Sequence, residues 1–417
     1  MLRIVAALDG GICRVKLAGG ELQAAQADAV AQAAERYASG VIEATNRANL
    51  QLRGVGTQQR ALIDTLLAAG LGPRLAGGDD VRNLMLSPAA GLDQHMLLDV
   101  RPLAAQVLNS LESEPRYHAL SAKFAVQLDG GESLAMLEHH HDVWVSARQV
   151  NGQTLLAWGL AGCPGSDPAW GLVPVGQGHA LVMGLLQRFL QLASPQQSRL
   201  RELLAAGLGE AFGGAPGALV QGARSAEPLQ TLGIHPQRQP GLSMVVANAP
   251  LGRLDAAMLR GVAALARQYG DATLRITPWQ GILLPNVAAA AAPAARAALL
   301  ALGFVTKAQQ PLAPMIACTG SAGCARGLAD TKADAARLAR LLQQRRAPLS
   351  VHLSACGRSC AAAHVAPVTL LASRAGHYDV YFRDASQPGF GALQARDLSL
   401  DAAAVLLDGC SRSDTHD

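Results

Sequence analysis

The sequence predicts an α+β protein with an internal pseudo-two-fold. Three observations predict it. A stretch near the start repeats far down the chain without a gap. Each copy switches between strand-like and helix-like periodicity. Half of the 417 residues are hydrophobic and only 16% are charged, enough for several compact cores. The repeated stretches are "LQAAQADAVAQAAERYASGVIEATNRANLQLRGV" from Leu22 and "LDAAMLRGVAALARQYGDATLRITPWQGILLPNV" from Leu254. The offset of 232 (254 less 22) matches Val30 with Val262, Tyr37 with Tyr269, Thr45 with Thr277 and Val55 with Val287. One pair of copies this far apart indicates a duplicated domain rather than a solenoid.

Each copy reads in the same order. A short strand comes first, "GICRVKL" and then "LSMVVANA". An amphipathic helix follows, with Leu22, Ala25, Ala29, Ala33 and Tyr37 at helical spacing in the first copy. Two β-rich runs joined by a tight polar connection come next, "GVIEAT" with "LQLRGV" and "ATLRIT" with "GILLP". A further helix closes each copy. Such a βαββα unit is half of a ferredoxin-like arrangement, so segments 1–74 and 226–305 are expected to pair into one body. Two mixed segments, 75–225 and 306–417, complete the chain. The first carries the strands "KFAVQLDG", "DVWVSARQV" and "TLLAWGLAG" and leaves through "GLGEAFGGAPGALVQGARSAEP", a Gly/Ala/Pro-rich linker. The second carries four cysteines, then the strand pair "PVTLLAS" and "YDVYFRD".

Composition excludes several classes. The most apolar stretch, "VAAAAAPAARAALLALGF", is broken by Pro293 and Arg296, short of the roughly 20 residues a membrane span needs. The N-terminus lacks a signal-peptide layout, so a cytoplasmic location is expected. The net charge of +4 is scattered rather than massed into a stripe, which argues against nucleic acid. Seven cysteines, an odd number without secretory context, point to metal or redox use rather than disulfides.

Four of the seven form a pattern. Cys318 and Cys324 are separated by five residues, and Cys356 and Cys360 by three. Four thiolates are the usual ligands of an iron–sulfur cluster. Zinc pairs sit two to four residues apart on tight knuckles, and a five-residue gap is long for one. Zinc and inert buried thiols stay open as alternatives. If "SACGRSC" opens a helix, Cys356 and Cys360 face one side. Cys13, Cys163 and Cys410 are isolated and read as structural. "EHHHD", 138–142, has the residue types of a facial iron triad, but reads best as a surface turn. No dinucleotide loop is present: "GLGEAFG" follows a helix rather than a strand. Electrons are therefore expected from an external donor.

The paired cysteines resemble the cluster signature of the sirohaem sulfite and nitrite reductase superfamily. "EATNRANLQLRGV" is similar to its tetrapyrrole-contacting strand, "DDVRNLMLSPAAGLD" to its next arginine-bearing segment and "SAKFAVQLDGG" to its lysine-bearing strand. Within the superfamily, "DGGICRVKLAGGEL", "LRITPWQGILL" and "SACGRSC" resemble the precorrin-3B synthases. The resemblance implies two sulfite-reductase-haemoprotein-like α/β domains beside the ferredoxin-like halves. It implies a [4Fe-4S] cluster on Cys318, Cys324, Cys356 and Cys360, and a further mononuclear non-haem iron. The implied reaction hydroxylates precorrin-3A with O2 and forms a lactone, as part of cobalamin biosynthesis. Sirohaem belongs to the alternative, a sulfite or nitrite reductase; a non-catalytic tetrapyrrole carrier is a third reading. Arg47, Arg82 and Lys123 match the basic residues around the reductases' anion, but Ala125 stands where a second basic or polar residue is usual. Asn46, Asn49, Gln51, Arg53, Arg275, Thr277 and Gln280 are the implied contacts to a carboxylated macrocycle. Arginine suits that fringe, because its planar fork pairs bidentately with carboxylate.

Overall fold

Alternation along the strands and small residues along the helices decide the architecture. The computed structural model describes residues 1–213, 231–345, 347–384, 386–387 and 389–409. The expected linker lies mostly outside these residues, and Cys410 wholly so. The first segment carries β1 (Val5–Ala7), β2 (Gly10–Val15), β3 (Glu21–Gln23), α1 (Ala24–Tyr37), β4 (Val41–Ala44), β5 (Leu50–Val55) and α2 (Gln59–Ala68). The second carries β6 (Leu84–Leu86), α3 (Arg101–Ser113), β7 (Val126–Asp129), β8 (His141–Val150), β9 (Gln153–Gly162), β10 (Gly171–Pro174), α4 (Gly178–Leu192) and α5 (Leu200–Ala205). The third carries β11 (Gly233–Pro236), β12 (Leu242–Asn248), β13 (Arg253–Asp255), α6 (Ala256–Tyr269), β14 (Thr273–Ile276), β15 (Gly281–Ala288) and α7 (Ala292–Ala301). The last carries β16 (Met315–Ala317), α8 (Thr331–Leu341), β17 (Val351–Ser354), β18 (Val368–Arg374), β19 (His377–Phe382), β20 (Ala392–Ser399) and α9 (Leu400–Gly409).

The two ferredoxin-like halves exchange strands. One sheet runs β1-β2-β5-β4-β13 and the other β11-β12-β15-β14-β3, so each half lends its three-residue strand to the other. Leu22 therefore does not open α1 as its spacing predicted. It is fully buried between the exposed Glu21 and Gln23, a strand alternation, and pairs with Leu274. The helix starts after it, where the Gln26 side chain accepts the Gln23 N–H at 3.0 Å. Helices α1 and α6 pack together, with Ala31, Ala34, Ala263 and Ala266 fully buried in one core shared by both halves.

The outer faces of the two sheets have diverged. Across the first sheet the register aligns Arg14, Gln51, Glu43 and Arg253 in one row. Across the second the same row reads Val246, Leu283, Arg275 and Glu21. The first row is polar and faces the cysteine segment. The second is apolar at Val246 and Leu283, which pack with Ala89, Leu92 and Leu134. The swapped ion pair is kept with its signs exchanged: Arg253 lies 2.9 Å from Glu43, and Arg275 lies 3.8 Å from Glu21.

The remaining segments are also copies of one plan. In β6-β7-β8-β9-β10 and in β16-β17-β18-β19-β20 the first three strands are parallel and the last two pairings antiparallel. Each sheet has its own core, one within 81–212 and one dominated by 315–407.

Candidate active site

The cysteines sit where a parallel sheet is expected to hold a ligand, outside the carboxyl ends of its strands. β16 and β17 are parallel neighbours in the register Ala317 to Leu353. Cys318 directly follows β16 and Cys356 follows β17, so both emerge at one sheet edge. A parallel pair needs a crossover, and α8 supplies it. That crossover occupies most of the 31 residues between Cys324 and Cys356. Cys324 lies in the loop before α8. Its N–H donates to Gly320 O at 2.9 Å, and Gly320 has φ +71, a conformation glycine adopts freely. The expected helix at "SACGRSC" does not form. Ser359 at φ +50 breaks it, and Cys356 and Cys360 lie on an irregular loop.

The four thiols face one another. Burial pushes the Cys360 thiol pKa up, and the charges of Cys356, Cys318 and Cys324 add to it. The Ala355 N–H donates to Cys318 Sγ at 3.3 Å, and Thr331 Oγ1 lies 3.4 Å from the same sulfur. Four sulfurs around a single zinc stand about 3.8 Å apart, given the Zn–S bond length. Among the described residues no three of these sulfurs lie within 4.8 Å of one another. That spread is wider than a single zinc takes, and four thiols are the usual donor set of an iron–sulfur cluster.

A cavity of about 720 Å³ opens beside the cysteines, lined by all four of them and by Arg14, Gln51 and Glu43 of the first sheet's polar row. Gln51, Arg53, Asn46 and Gln280, four of the expected macrocycle contacts, line it. So do Arg14, Arg326 and Arg358, which the sequence reading did not single out. Arg326 and Arg358 each stand two residues after a cysteine, a signal that was available. No guanidinium of Arg14, Arg47, Arg326 or Arg358 has an ion pair among the described residues. Burial pulls the Arg14 pKa down, and repulsion from Arg3 and Arg53 adds to it. The space favours anions.

Glu43 gathers the charges behind this wall. It lies 2.9 Å from Arg253, 3.6 Å from Arg53 and 3.8 Å from Lys332, and accepts from Thr319 Oγ1 at 3.1 Å. Burial pushes its pKa up, but Lys332, Arg53 and Arg253 outweigh burial and hold it below the usual range. Arg53 also donates to Asp9 and, at 2.9 Å, to Gly323 O in the cysteine loop. It is a fixed strut rather than a free ligand donor.

The two polar connections form matching turns. Thr45 N donates to Asn49 O and Thr277 N to Gly281 O, each at 2.9 Å. Ala48 and Gln280 occupy the same place in each turn, at φ +54 and +60. Asn46 Nδ2 donates to Ala361 O at 3.3 Å, which ties the first turn to the chain after Cys360. Arg47, at the turn's tip, is half-buried. Burial pulls its pKa down and Arg199 adds to it, against the pull of Asp142. Its charge also contributes to the depressed pKa values of His139 and His141, for both of which burial is the larger cause. "EHHHD" is thus not a surface turn: His139, His141 and Asp142 are buried, and Asp142 holds Arg199 at 3.0 Å. Trp279, at the place of Arg47 in the second turn, lines a smaller cavity of about 350 Å³ with Asn46 and His139.

Other expected contacts lie elsewhere. Arg82 and Arg275 border a different cavity, of about 530 Å³. Arg82 donates to Leu71 O and Gly72 O and lies 3.4 Å from Glu112. Arg275 donates to Pro88 O and Ala90 O. The Asn49 side chain accepts the Leu17 N–H, and Thr277 Oγ1 accepts the Gly281 N–H. Both are turn-holding roles. Lys123 is exposed, two residues before Ala125, whose N–H donates to Asp142.

Comparison with known proteins matches this geometry to a family. Residues 7–70 and 235–302 match the nitrite/sulfite reductase ferredoxin-like half domain, and 77–207 match the nitrite and sulphite reductase 4Fe-4S domain. The chain is 32% identical to a chloroplastic ferredoxin–nitrite reductase of Zea mays over 85% of its own length and 68% of that protein's. The chain belongs to the nitrite/sulfite reductase family. Other members similar to it are a ferredoxin–nitrite reductase of Synechococcus elongatus, 28% identical over 87% of this chain and 76% of that one, and a precorrin-3B synthase of Sinorhizobium sp, 27% identical over 87% and 79%. The fold is that of the Mycobacterium tuberculosis NirA protein, with a TM-score of 0.79 at 20% identity, covering 96% of this chain and 80% of that one. The match named for the 4Fe-4S domain contains one cysteine, Cys163. The cysteine quartet lies in the other copy of that domain's sheet plan, outside the matched residues. Within this nitrite/sulfite reductase family member, then, the β6/β7 edge carries Ser87 and Gly131 where the β16/β17 edge carries Cys318 and Cys356.

Proposed function

We propose that this family member is an iron–sulfur oxidoreductase acting on a carboxylate-fringed tetrapyrrole, and that the reaction is the O2-dependent hydroxylation and lactone formation on precorrin-3A. The observation that carries the reading is which basic groups are free. The four-donor clamp expected around a small inorganic anion is incomplete here. Arg82 is spent on two carbonyls and two carboxylates, and Ala125 offers no donor. Among the described residues Arg14, Arg326 and Arg358 have no ion pair, and all three line the cysteine cavity, as an array of carboxylates would require.

In this reading Cys318, Cys324, Cys356 and Cys360 hold the cluster, which when bound supplies single electrons beside the cavity. Arg14, Arg326 and Arg358 take acetate and propionate arms. Asn46 and Gln51 add neutral donors, and Gln280 approaches from the other turn. The Glu43 network keeps the cysteine loop against the sheet, and Ala44, Ala317 and Ala361 exclude water between the polar contacts. An external protein supplies the electrons.

The second reading, a sirohaem-dependent nitrite reductase, is favoured by the 32% identity to the maize enzyme. One preparation separates them. Anaerobically purified protein is analysed for iron, sulfide and extractable tetrapyrrole. It is then given precorrin-3A, O2 and a reductant in one arm, and nitrite and the same reductant in the other. An oxygenated lactone without sirohaem supports the proposal. Stoichiometric sirohaem with ammonia production overturns it. A cluster-loaded protein that binds the macrocycle without converting it marks a carrier.

A further inference from the structure

We propose that His140, Cys163 and Asp167 form a binding site for one divalent cation of borderline softness, zinc being the probe ion, at the open end of the β8–β9 hairpin. The cysteine cavity and the reaction proposed above use none of these residues, so the site stands independently of that reading. One ligand atom from each residue lies within 4.8 Å of the other two. Among the described residues this is the one group of three such side chains that converges so closely.

The backbone explains the convergence. β8 and β9 pair in the register His141 to Gly162, so His140 and Cys163 are the next residues across the ladder. Residues directly opposite on antiparallel strands bring their side chains within about 5 Å. Asp167 is returned to the same place by a turn: its N–H donates to Cys163 O at 3.1 Å and its Oδ2 accepts the Cys163 N–H at 2.8 Å. Ser166 Oγ also donates to Oδ2, which leaves Oδ1 for a cation. A Cβ at Gly162 would stand 2.6 Å from Asp167 Cγ, so the strand end is shaped around this carboxylate. The Gly165 N–H donates to Leu137 O at 3.0 Å and fastens the turn to the chain just before the histidines.

The donor set selects the ion. Thiolate, imidazole and carboxylate together suit zinc or cobalt and disfavour magnesium or calcium, which want oxygen alone. His140 is exposed whereas His139 and His141 are buried, so the ion enters from solvent and water completes its coordination.

The test uses cluster-loaded protein, stripped of adventitious metal and titrated with zinc. X-ray absorption at the zinc edge then reads the ligands. One zinc per chain with a single sulfur neighbour is expected, lost in C163A and in H140A while iron and sulfide content stay unchanged. Because His140 is exposed, H140A keeps the test open if C163A fails to fold. Zinc surrounded by four sulfurs, no zinc retained, or wild-type zinc binding in H140A would each overturn the proposal.

Discussion

Gly320 and Gly357 lie in the two cysteine loops and face opposite constraints. At Gly320 φ is +71, and an added Cβ would meet Ala329 O and Thr331 N at 2.6 Å, both backbone atoms. At Gly357 nothing stands within 4 Å. Gly320→Ala therefore has to move the loop that presents Cys324, beyond the roughly 1–2 kcal/mol of the left-handed conformation itself. Iron and sulfide per chain should fall sharply in G320A and stay at the wild-type level in G357A; equal loading of the two would show that the loop is not fixed there. Arg47 allows a complementary test. Its half-buried guanidinium has no ion pair among the described residues, so Arg47→Met should leave the melting temperature unchanged or higher. Binding of a carboxylated tetrapyrrole should weaken by about 1.5–3 kcal/mol, the usual range for a hydrogen bond to a charged group. A drop in melting temperature with unchanged binding would make Arg47 structural.

The row Arg14–Gln51–Glu43–Arg253 runs across four strands of one sheet, and Glu43 is its hinge to the cysteine segment through Thr319 and Lys332. Removing one partner from a buried ionic group costs about 3–5 kcal/mol, because the remaining charges are left unbalanced. Glu43→Gln should destabilise by that order in urea unfolding, and Lys332→Met added to it should restore part of the loss. The pH dependence has a definite sign. Folding holds the Glu43 carboxyl below its ordinary 4.5, so its contribution is complete above that pH and is lost as pH falls through the folded value. Wild type and E43Q should converge on acidification; a gap that widens toward low pH would contradict the network. At this scale the strands β4, β5, β14 and β15 and the helices of the ferredoxin-like halves were legible, since each carries its own period. The exchange of β3 and β13 was not. Strands of three residues have no period, and Leu22 satisfies helical spacing as well as strand alternation. The charge complement between Glu43 and the distant Lys332 likewise depends on tertiary placement.

Two levels of duplication organise the whole molecule, and only one of them shows in the sequence. The ferredoxin-like halves share a helix-to-helix core, which restrains both copies of that surface and keeps the 232-residue offset visible. The β6–β10 and β16–β20 sheets have separate cores, so their interiors have drifted apart while strand order and direction persist. The structural register makes Gln127 the counterpart of His352: each is second in its strand, between Met85 and Trp144 in one sheet and between Ile316 and Thr369 in the other. Both are buried. Gln127 donates to Met136 O, whereas His352 Nε2 is buried without a partner among the described residues. Burial, with a contribution from His364, pushes the His352 pKa down from 6.5 to about 4. A histidine kept neutral by folding binds its proton more readily in the unfolded chain. Stability is therefore complete above pH 6.5 and declines as pH falls toward 4. At pH 5 the loss is about 2 kcal/mol, at about 1.4 kcal/mol per pH unit. His352→Gln installs the side chain that the sister sheet already buries at this place. Urea unfolding at pH 8 and pH 5 should show the wild type losing about 2 kcal/mol more than H352Q between the two. An equal loss in both proteins would mean that His352 does not titrate with folding, and that the acid sensitivity of the molecule lies elsewhere.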